Sequence, residues 1–182
     1  METENPRYDC AIIGGGLAGL CLSIQLADAG LRVILFEKNE YPFHKVCGEY
    51  ISMESWGFLE SLGIPLSELD LPIIKKLSIS AQSGFLLNHE LDLGGFGISR
   101  YYLDALLAKM AIEKGVELMA GSKVQSVQYV DENWQIRMGS ITYHSHLAFG
   151  SFGKYFPVFI NKLDGSQSPP KKAVPNFIGV KY

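Results

Sequence analysis

The sequence predicts an α/β fold: a parallel sheet flanked by helices, a β-meander, and the first strands of a second, incomplete domain. Three observations predict it. A glycine cluster at Gly14 to Gly19 separates a short apolar run from an Ala/Leu-rich segment, and a second apolar run follows, the order that makes neighbouring strands parallel. Three short runs between Lys123 and Phe149 read as an antiparallel meander. A hairpin pattern from Ile73 to Leu93 and a strand pattern from Asn176 to Tyr182 stand apart from both.

The elements follow in order. Cys10, Ala11, Ile12 and Ile13 form a continuous apolar run, as a parallel strand buried on both faces requires. A helix is expected from about Leu17 to Ala29, with Gly30 as its stop, and a second strand from Arg32 to Phe36 ending at Glu37. The stretch from Lys38 to Ser52 carries a Pro and a Gly and no periodicity, so it is expected to be a long functional loop. Ser52 and Ser55 are candidate caps for a short helix through Leu62, closed by Gly63. The hairpin turns at Gln82-Ser83-Gly84, and Gly94-Gly95-Phe96-Gly97 reads as a glycine-rich bend. Leu103, Leu106, Leu107 and Met110 lie at helical spacing, and Gly115 ends that helix. Val116 to Met119 is a short strand, and the meander runs Lys123 to Val130, Trp134 to Met138 and Ile141 to Phe149. Lys162 to Pro175 is a polar, proline-rich connection. The chain reads as cut off within its last strand, with residues 1–160 one domain, the hairpin 73–93 belonging to the sheet of the second, and 161–182 a linker and that domain's next strand.

At 182 residues and 47% apolar, the chain suffices for one domain with a real core. A net charge of −3 with scattered basic residues gives no electrostatic reason to expect nucleic acid. Cys10, Cys21 and Cys47 have neither disulfide nor metal-knuckle spacing, and the N-terminus lacks a signal-peptide pattern. A reducing cytoplasm, with at most peripheral membrane contact, is the expected setting. His144 and His146 share a strand face without a third ligand, so no metal site is expected. Trp56 and Trp134 read as core or interface aromatics.

The chemistry lies in Gly14-Gly15-Gly16-Leu17-Ala18-Gly19, a complete G-x-G-x-x-G. Gly14 permits a tight turn out of the strand, Gly16 lets a pyrophosphate approach the backbone, and Gly19 lets the helix pack on the sheet. The helix N-terminus offers N–H groups and a positive dipole end to phosphates. Glu37, eighteen residues after Gly19, is placed to accept hydrogen bonds from ribose and disfavours a 2′-phosphate. A Rossmann-like dinucleotide site is therefore expected. The fingerprint alone would equally serve a nicotinamide dehydrogenase, which bound flavin absorbance distinguishes.

Three further stretches carry a family resemblance: Lys45-Val46-Cys47-Gly48-Glu49, Ile98-Ser99-Arg100 with the helix after it, and Gly150-Ser151-Phe152-Gly153-Lys154 after the meander. With the glycine fingerprint, they resemble FAD-dependent oxidoreductases built like p-hydroxybenzoate hydroxylase, particularly the geranylgeranyl-reductase-like branch. The resemblance covers nearly the whole chain, and the K-x-C-G-E loop is its most specific part. It implies a Rossmann-like FAD-binding sheet, with Gly14, Gly16, Leu17, Ala18 and Gly19 at the pyrophosphate and Glu37 at the adenosine ribose. Lys45, Cys47 and Gly48 would run beside the isoalloxazine, Arg100 would contact the cofactor, and Lys38 and Val124 complete the cofactor-binding set. Cys47 is the catalytic candidate. Taken alone, Lys45 and Glu49 make equally a solvated ion pair, Cys47 a loop thiol, and Arg100 a surface cation. The implied activity is flavin-mediated reduction of a small apolar, isoprenoid or lipid-like substrate, driven by NAD(P)H or another reductant, with flavin monooxygenation second. A third reading is a nucleotide-binding piece without catalysis. Phe152 stands where many hydroxylases of the superfamily carry Asp, which counts against a hydroxylase-like use of NADPH.

Overall fold

The computed structural model describes residues 7–153. The elements are β1 (Arg7–Ile13), α1 (Leu17–Asp28), β2 (Val33–Phe36), β3 (Tyr50–Ser52), α2 (Trp56–Ser61), β4 (Ile73–Ser80), β5 (Leu86–Gly97), α3 (Arg100–Glu113), β6 (Glu117–Met119), β7 (Ser126–Val130), β8 (Asn133–Met138) and β9 (Ile141–Gly150). Short 3-10 turns lie at Met53–Ser55 and Leu66–Glu68. The described residues divide into two compact units, 7–43 with 104–153 and 44–103. The proline-rich connection from Lys162, the strand from Asn176 and the domain boundary expected near residue 160 lie outside the described residues.

The first unit is built on one six-stranded sheet in the order β6-β2-β1-β9-β8-β7. β1 runs parallel to β2, pairing Cys10 with Val33 through Ile13 with Phe36, and β6 continues the parallel set beyond β2. The meander does not form a layer of its own. Its last strand, β9, pairs in parallel with β1 from Arg7 with His144 to Ile13 with Gly150, while β8 and β7 extend the sheet antiparallel. Central position explains the unbroken apolar runs: Cys10, Ala11, Ile12, Ile34, Leu35 and Phe36 are all buried. Leu20 and Ile24 of α1 are buried, and α1 packs on β1 and β2. Val124, Val127, Ile136 and Tyr143 from the meander side join Ala11, Ile13, Ile34 and Phe36 in one cluster, with Tyr143 edge-on to Phe36 at 5.2 Å. Trp134 packs against this cluster, and in the other unit Trp56 stands edge-on to Phe96.

The three helices of the described residues end alike. Leu31 N–H bonds to Leu26 O, Ile64 N–H to Leu59 O and Val116 N–H to Ala111 O, each one residue past a glycine. Those glycines, Gly30, Gly63 and Gly115, have φ of 82°, 97° and 88°, which a side chain would disfavour. The buried stripe of α3 is rotated from the expected one. Leu103 and Leu107 are buried together with Asp104, Ala108 and Ala111, whereas Leu106 and Met110 are only half-buried.

The second unit corrects two expectations. The long loop after Glu37 ends in a strand, because Tyr50–Ser52 pairs with Gly95 to Gly97. The glycine-rich stretch at Gly94 to Gly97 is the end of β5 rather than a bend. A Cβ on Gly95 would meet the Tyr50 ring and the Ile51 carbonyl, so the glycines admit β3 alongside β5. The hairpin is part of a three-stranded sheet, β3-β5-β4. One of its faces carries Lys76, Ser78, Asn88 and Glu90, and the other carries Leu77, Ile79, Leu87 and His89.

The two-residue connection between β7 and β8 holds Asp131 and Glu132 at φ of 48° and 61°. Such a turn favours glycine at its second position. Glu132→Gly is expected to stabilise the protein by about 0.5–1 kcal/mol, the relief of left-handed strain less the chain entropy of glycine. An unchanged or lowered urea midpoint would count against that reading of the turn.

Candidate functional site

The glycine turn is held in shape by its own neighbours. β1 ends at Ile13, and Gly14 takes φ 114°, sending the chain back over the sheet end. Gly14 N–H bonds to Phe36 O at 2.8 Å, and Ser151 N–H to Ile13 O at 2.8 Å. Ser151 Oγ also donates to the carbonyl of Gly14. A Cβ on Gly19 would collide with that same carbonyl and with Ser151 Oγ, so Gly19 is the contact point between α1 and the turn.

Gly16 is the N-cap of α1, with φ −80° and ψ −174°, and no side chain caps the helix. No acidic residue stands in the first turn. The N-terminal N–H groups and the positive end of the dipole thus meet no carboxylate from that turn, an arrangement suited to an anion. Leu17 is half-buried and Ala18 exposed at this end, whereas Gly19 is buried.

Glu37 is 6% exposed and braces the turn. Its Oε2 accepts the Gly15 N–H at 2.9 Å, and its Oε1 accepts the Asn39 N–H at 3.0 Å and Asn39 Nδ2 at 2.8 Å. A carboxylate offers about four lone-pair positions. Three are engaged, leaving Oε2 room for one further donor rather than the two a free carboxylate would offer a ribose. The segment leading to β7 is tied to the same place, through Ser122 N–H to Glu37 O and Gly121 N–H to Asn39 O. The Val124 side chain lies in the hydrophobic core, so only its backbone is available to a nucleotide. Lys38 is exposed beside Glu37.

The remaining candidates gather in the second unit. Ile98 N–H bonds to Glu49 O at 3.0 Å, which brings the end of the Lys45–Glu49 loop to the residues leading into α3. His44 stacks on Tyr101 at 4.6 Å, fixing the loop's other end to the first turn of that helix. Arg100, half-buried, is the first residue of α3 and so lies next to both fastenings. Lys45 and Cys47 are half-buried and Gly48 is exposed. Cys47 Sγ accepts the Glu49 N–H at 3.4 Å, and Glu49 itself has a φ of 55°. Cys10 and Cys21 are poor candidates for thiol chemistry. Burial raises the pKa of both, that of Cys21 to about 11 with the Asp104 carboxylate adding.

Sequence reasoning missed Tyr41, Asn39 and the bracing role of Gly15. Tyr41 Oη donates to Gly15 O at 2.5 Å. A Cβ on Gly15 would collide with that oxygen and with Cβ of Glu37. The signal that could have found them is the middle glycine, Gly15, which the G-x-G-x-x-G spacing does not require. Among the described residues no cluster of three or more His, Cys, Asp or Glu is arranged to hold a metal, and no helix is long and apolar enough to cross a membrane.

A family model described as an FAD binding domain matches residues 7–136. The chain belongs to that FAD-binding family. Its cofactor is FAD, and the resemblance to the p-hydroxybenzoate-hydroxylase-type superfamily holds. The glycine turn fits the group: its helix end is free of side-chain caps, and its acidic brace retains one acceptor position. Among the relatives, the digeranylgeranylglycerophospholipid reductase of Sulfolobus acidocaldarius is 31% identical over 121 residues, covering 62% of this chain and 25% of that protein. A 1H-pyrrole-2-carbonyl-[peptidyl-carrier protein] brominase of Pseudoalteromonas luteoviolacea is 29% identical over 126 residues, covering 65% of this chain and 30% of that protein. The flavin-dependent brominase Bmp2 has the same fold over 82% of this chain and 39% of its own, with a TM-score of 0.68 at 22% identity. This chain thus spans about a third or less of the two curated relatives' length.

Proposed function

We propose that the chain is the cofactor-binding part of an FAD-dependent oxidoreductase of the geranylgeranyl-reductase-like kind, acting on an apolar isoprenoid or lipid-like substrate. The observation that carries the reading is the Lys45–Glu49 loop, fastened at Glu49 to Ile98 and at His44 to Tyr101, directly beside Arg100. That loop matches the branch's K-x-C-G-E pattern. The 31% identity to a reductase of isoprenoid lipids supports the same direction.

FAD, when bound, supplies the hydride or electron transfer. The chain's own residues bind and orient. Gly16 admits the pyrophosphate over a turn that Gly14 and Gly19 shape, and the N–H groups at Gly16, Leu17 and Ala18 receive its charge. Glu37 takes one ribose hydroxyl on Oε2, Lys38 stands beside it, and Val124 contributes backbone. Arg100 sets a cation toward the cofactor, while Lys45, Cys47 and Gly48 line the flavin side. Cys47 is the catalytic candidate, its thiol placed by the Glu49 N–H. The apolar face at Leu77, Ile79 and Leu87 supports assigning this hairpin to a substrate-domain sheet.

Monooxygenation is the second reading. Phe152 counts against its hydroxylase-like form, since this residue packs its ring on the core cluster where an Asp would offer a charge. The test is to identify the cofactor released from the purified protein, then to follow anaerobic reoxidation of the reduced flavin by an isoprenoid alkene. FAD release with alkene-dependent reoxidation, lost in Cys47→Ala while FAD stays bound, is expected. Reoxidation by oxygen alone, with a hydroxylated product, would favour the second reading. Release of NAD instead of flavin would overturn both.

A further inference from the structure

Gly15 is gripped at both of its backbone polar groups by the segment that follows β2. Its N–H goes to Glu37 Oε2 at 2.9 Å and its carbonyl receives Tyr41 Oη at 2.5 Å. The two bonds act on different peptide units. The N–H belongs to the Gly14–Gly15 peptide, and the carbonyl to the Gly15–Gly16 peptide. A peptide is planar, with its C=O and N–H pointing in opposite directions. Holding Gly15 O therefore fixes where Gly16 N–H points.

We propose that Tyr41 is a positioning residue for the cofactor: by binding Gly15 O, its hydroxyl aims the Gly16 N–H at the pyrophosphate. This rests on placing the FAD pyrophosphate over the glycine turn. Gly16 is the N-cap, flanked on one side by the helix and on the other by a glycine with no side chain to hold it. Without the tyrosine bond the 15–16 peptide is free to rotate between the two glycines, and the first donor of the anion site loses its direction. The ring of Tyr41 is itself fixed against Phe43, centroids 5.5 Å apart, so the hydroxyl is presented from a set position. Gly15 has to be glycine for the same reason, because any Cβ there displaces the Tyr41 oxygen.

The test is Tyr41→Phe, which removes one oxygen and keeps the ring. Affinities are measured for FAD, for ADP, which carries the pyrophosphate, and for adenosine, which does not. The lost orientation is worth roughly one neutral hydrogen bond, so FAD and ADP should bind about five- to tenfold more weakly. Adenosine affinity should stay unchanged, and the thermal midpoint of the apoprotein should fall only by the few degrees that one lost hydrogen bond costs. A uniform loss across all three ligands, or no loss for ADP, would overturn the proposal. Gly15→Ala gives a second measurement. It should weaken ADP in the native background and cost less in the Tyr41→Phe background, where the colliding oxygen is gone. Additive losses would also overturn it. If the unmutated protein binds neither FAD nor ADP, the cofactor placement fails first, and that result is distinct from the others.

Discussion

Gly16→Val should abolish measurable FAD binding while leaving the apoprotein folded. The backbone at Gly16 has φ −80° and ψ −174°, extended values open to any residue, so valine meets no conformational barrier there. Its branched side chain would stand over the uncapped helix end, where the pyrophosphate has to approach the backbone. The expected loss is at least about a hundredfold in affinity, near 3 kcal/mol. The cost to stability should stay near 1 kcal/mol, the usual range for a poor N-cap residue. Gly19→Val makes the contrast. Its Cβ would press on the Gly14 carbonyl, a backbone atom that cannot swing away. That change should lower the unfolding free energy by about 3 kcal/mol, with ligand affinity falling only as a consequence. Flavin affinity within twofold of the unmutated protein in Gly16→Val would place the pyrophosphate elsewhere.

The contrast marks what the sequence could tell. Spacing alone pointed to the turn at Gly14 and the close packing at Gly19, because each depends on a local turn and one helix. The parallel core was equally legible, since burial on both faces leaves an unbroken apolar run such as Cys10 to Ile13. Pairings between distant segments were not. β9 closes on β1 across more than a hundred residues, and nothing local to Ile141–Gly150 distinguishes that from a free-standing meander. The glycines at Gly94 to Gly97 look like a bend until Tyr50 and Ile51 are brought against them. The stripe of α3 was read from its leucines, yet the buried face includes Asp104 and two alanines, whose burial depends on neighbours rather than on hydropathy. At the glycine turn, the motif residues were legible as a pattern and the residues that brace them were not. Asn39 and Tyr41 lie outside any fingerprint, and their roles follow from where Glu37 and Gly15 sit in space.

Glu37 is where that distinction has the largest measurable consequence. Read from sequence, it is a ribose ligand, and its loss should weaken adenosine-containing ligands alone. In the structure its carboxylate also accepts three hydrogen bonds from the protein, one of them from the buried Gly15 N–H. Glu37→Gln keeps the shape but turns one acceptor oxygen into a donor. Whichever way the amide faces, its NH₂ meets either the Gly15 N–H or the two Asn39 donors. At least one buried donor is left without a partner, at a cost of about 1–3 kcal/mol in stability. FAD and ADP should each bind at least tenfold more weakly, since the ribose contact and the shape of the turn are lost together. Glu37→Asp is one methylene shorter and cannot reach Gly15 and Asn39 at once, so it should behave like the glutamine variant rather than restore function. Denaturant unfolding of the apoprotein separates the two roles. A glutamine variant as stable as the original, with adenosine-ligand affinity alone reduced, would reduce Glu37 to a ribose ligand and remove the brace from the account of this turn.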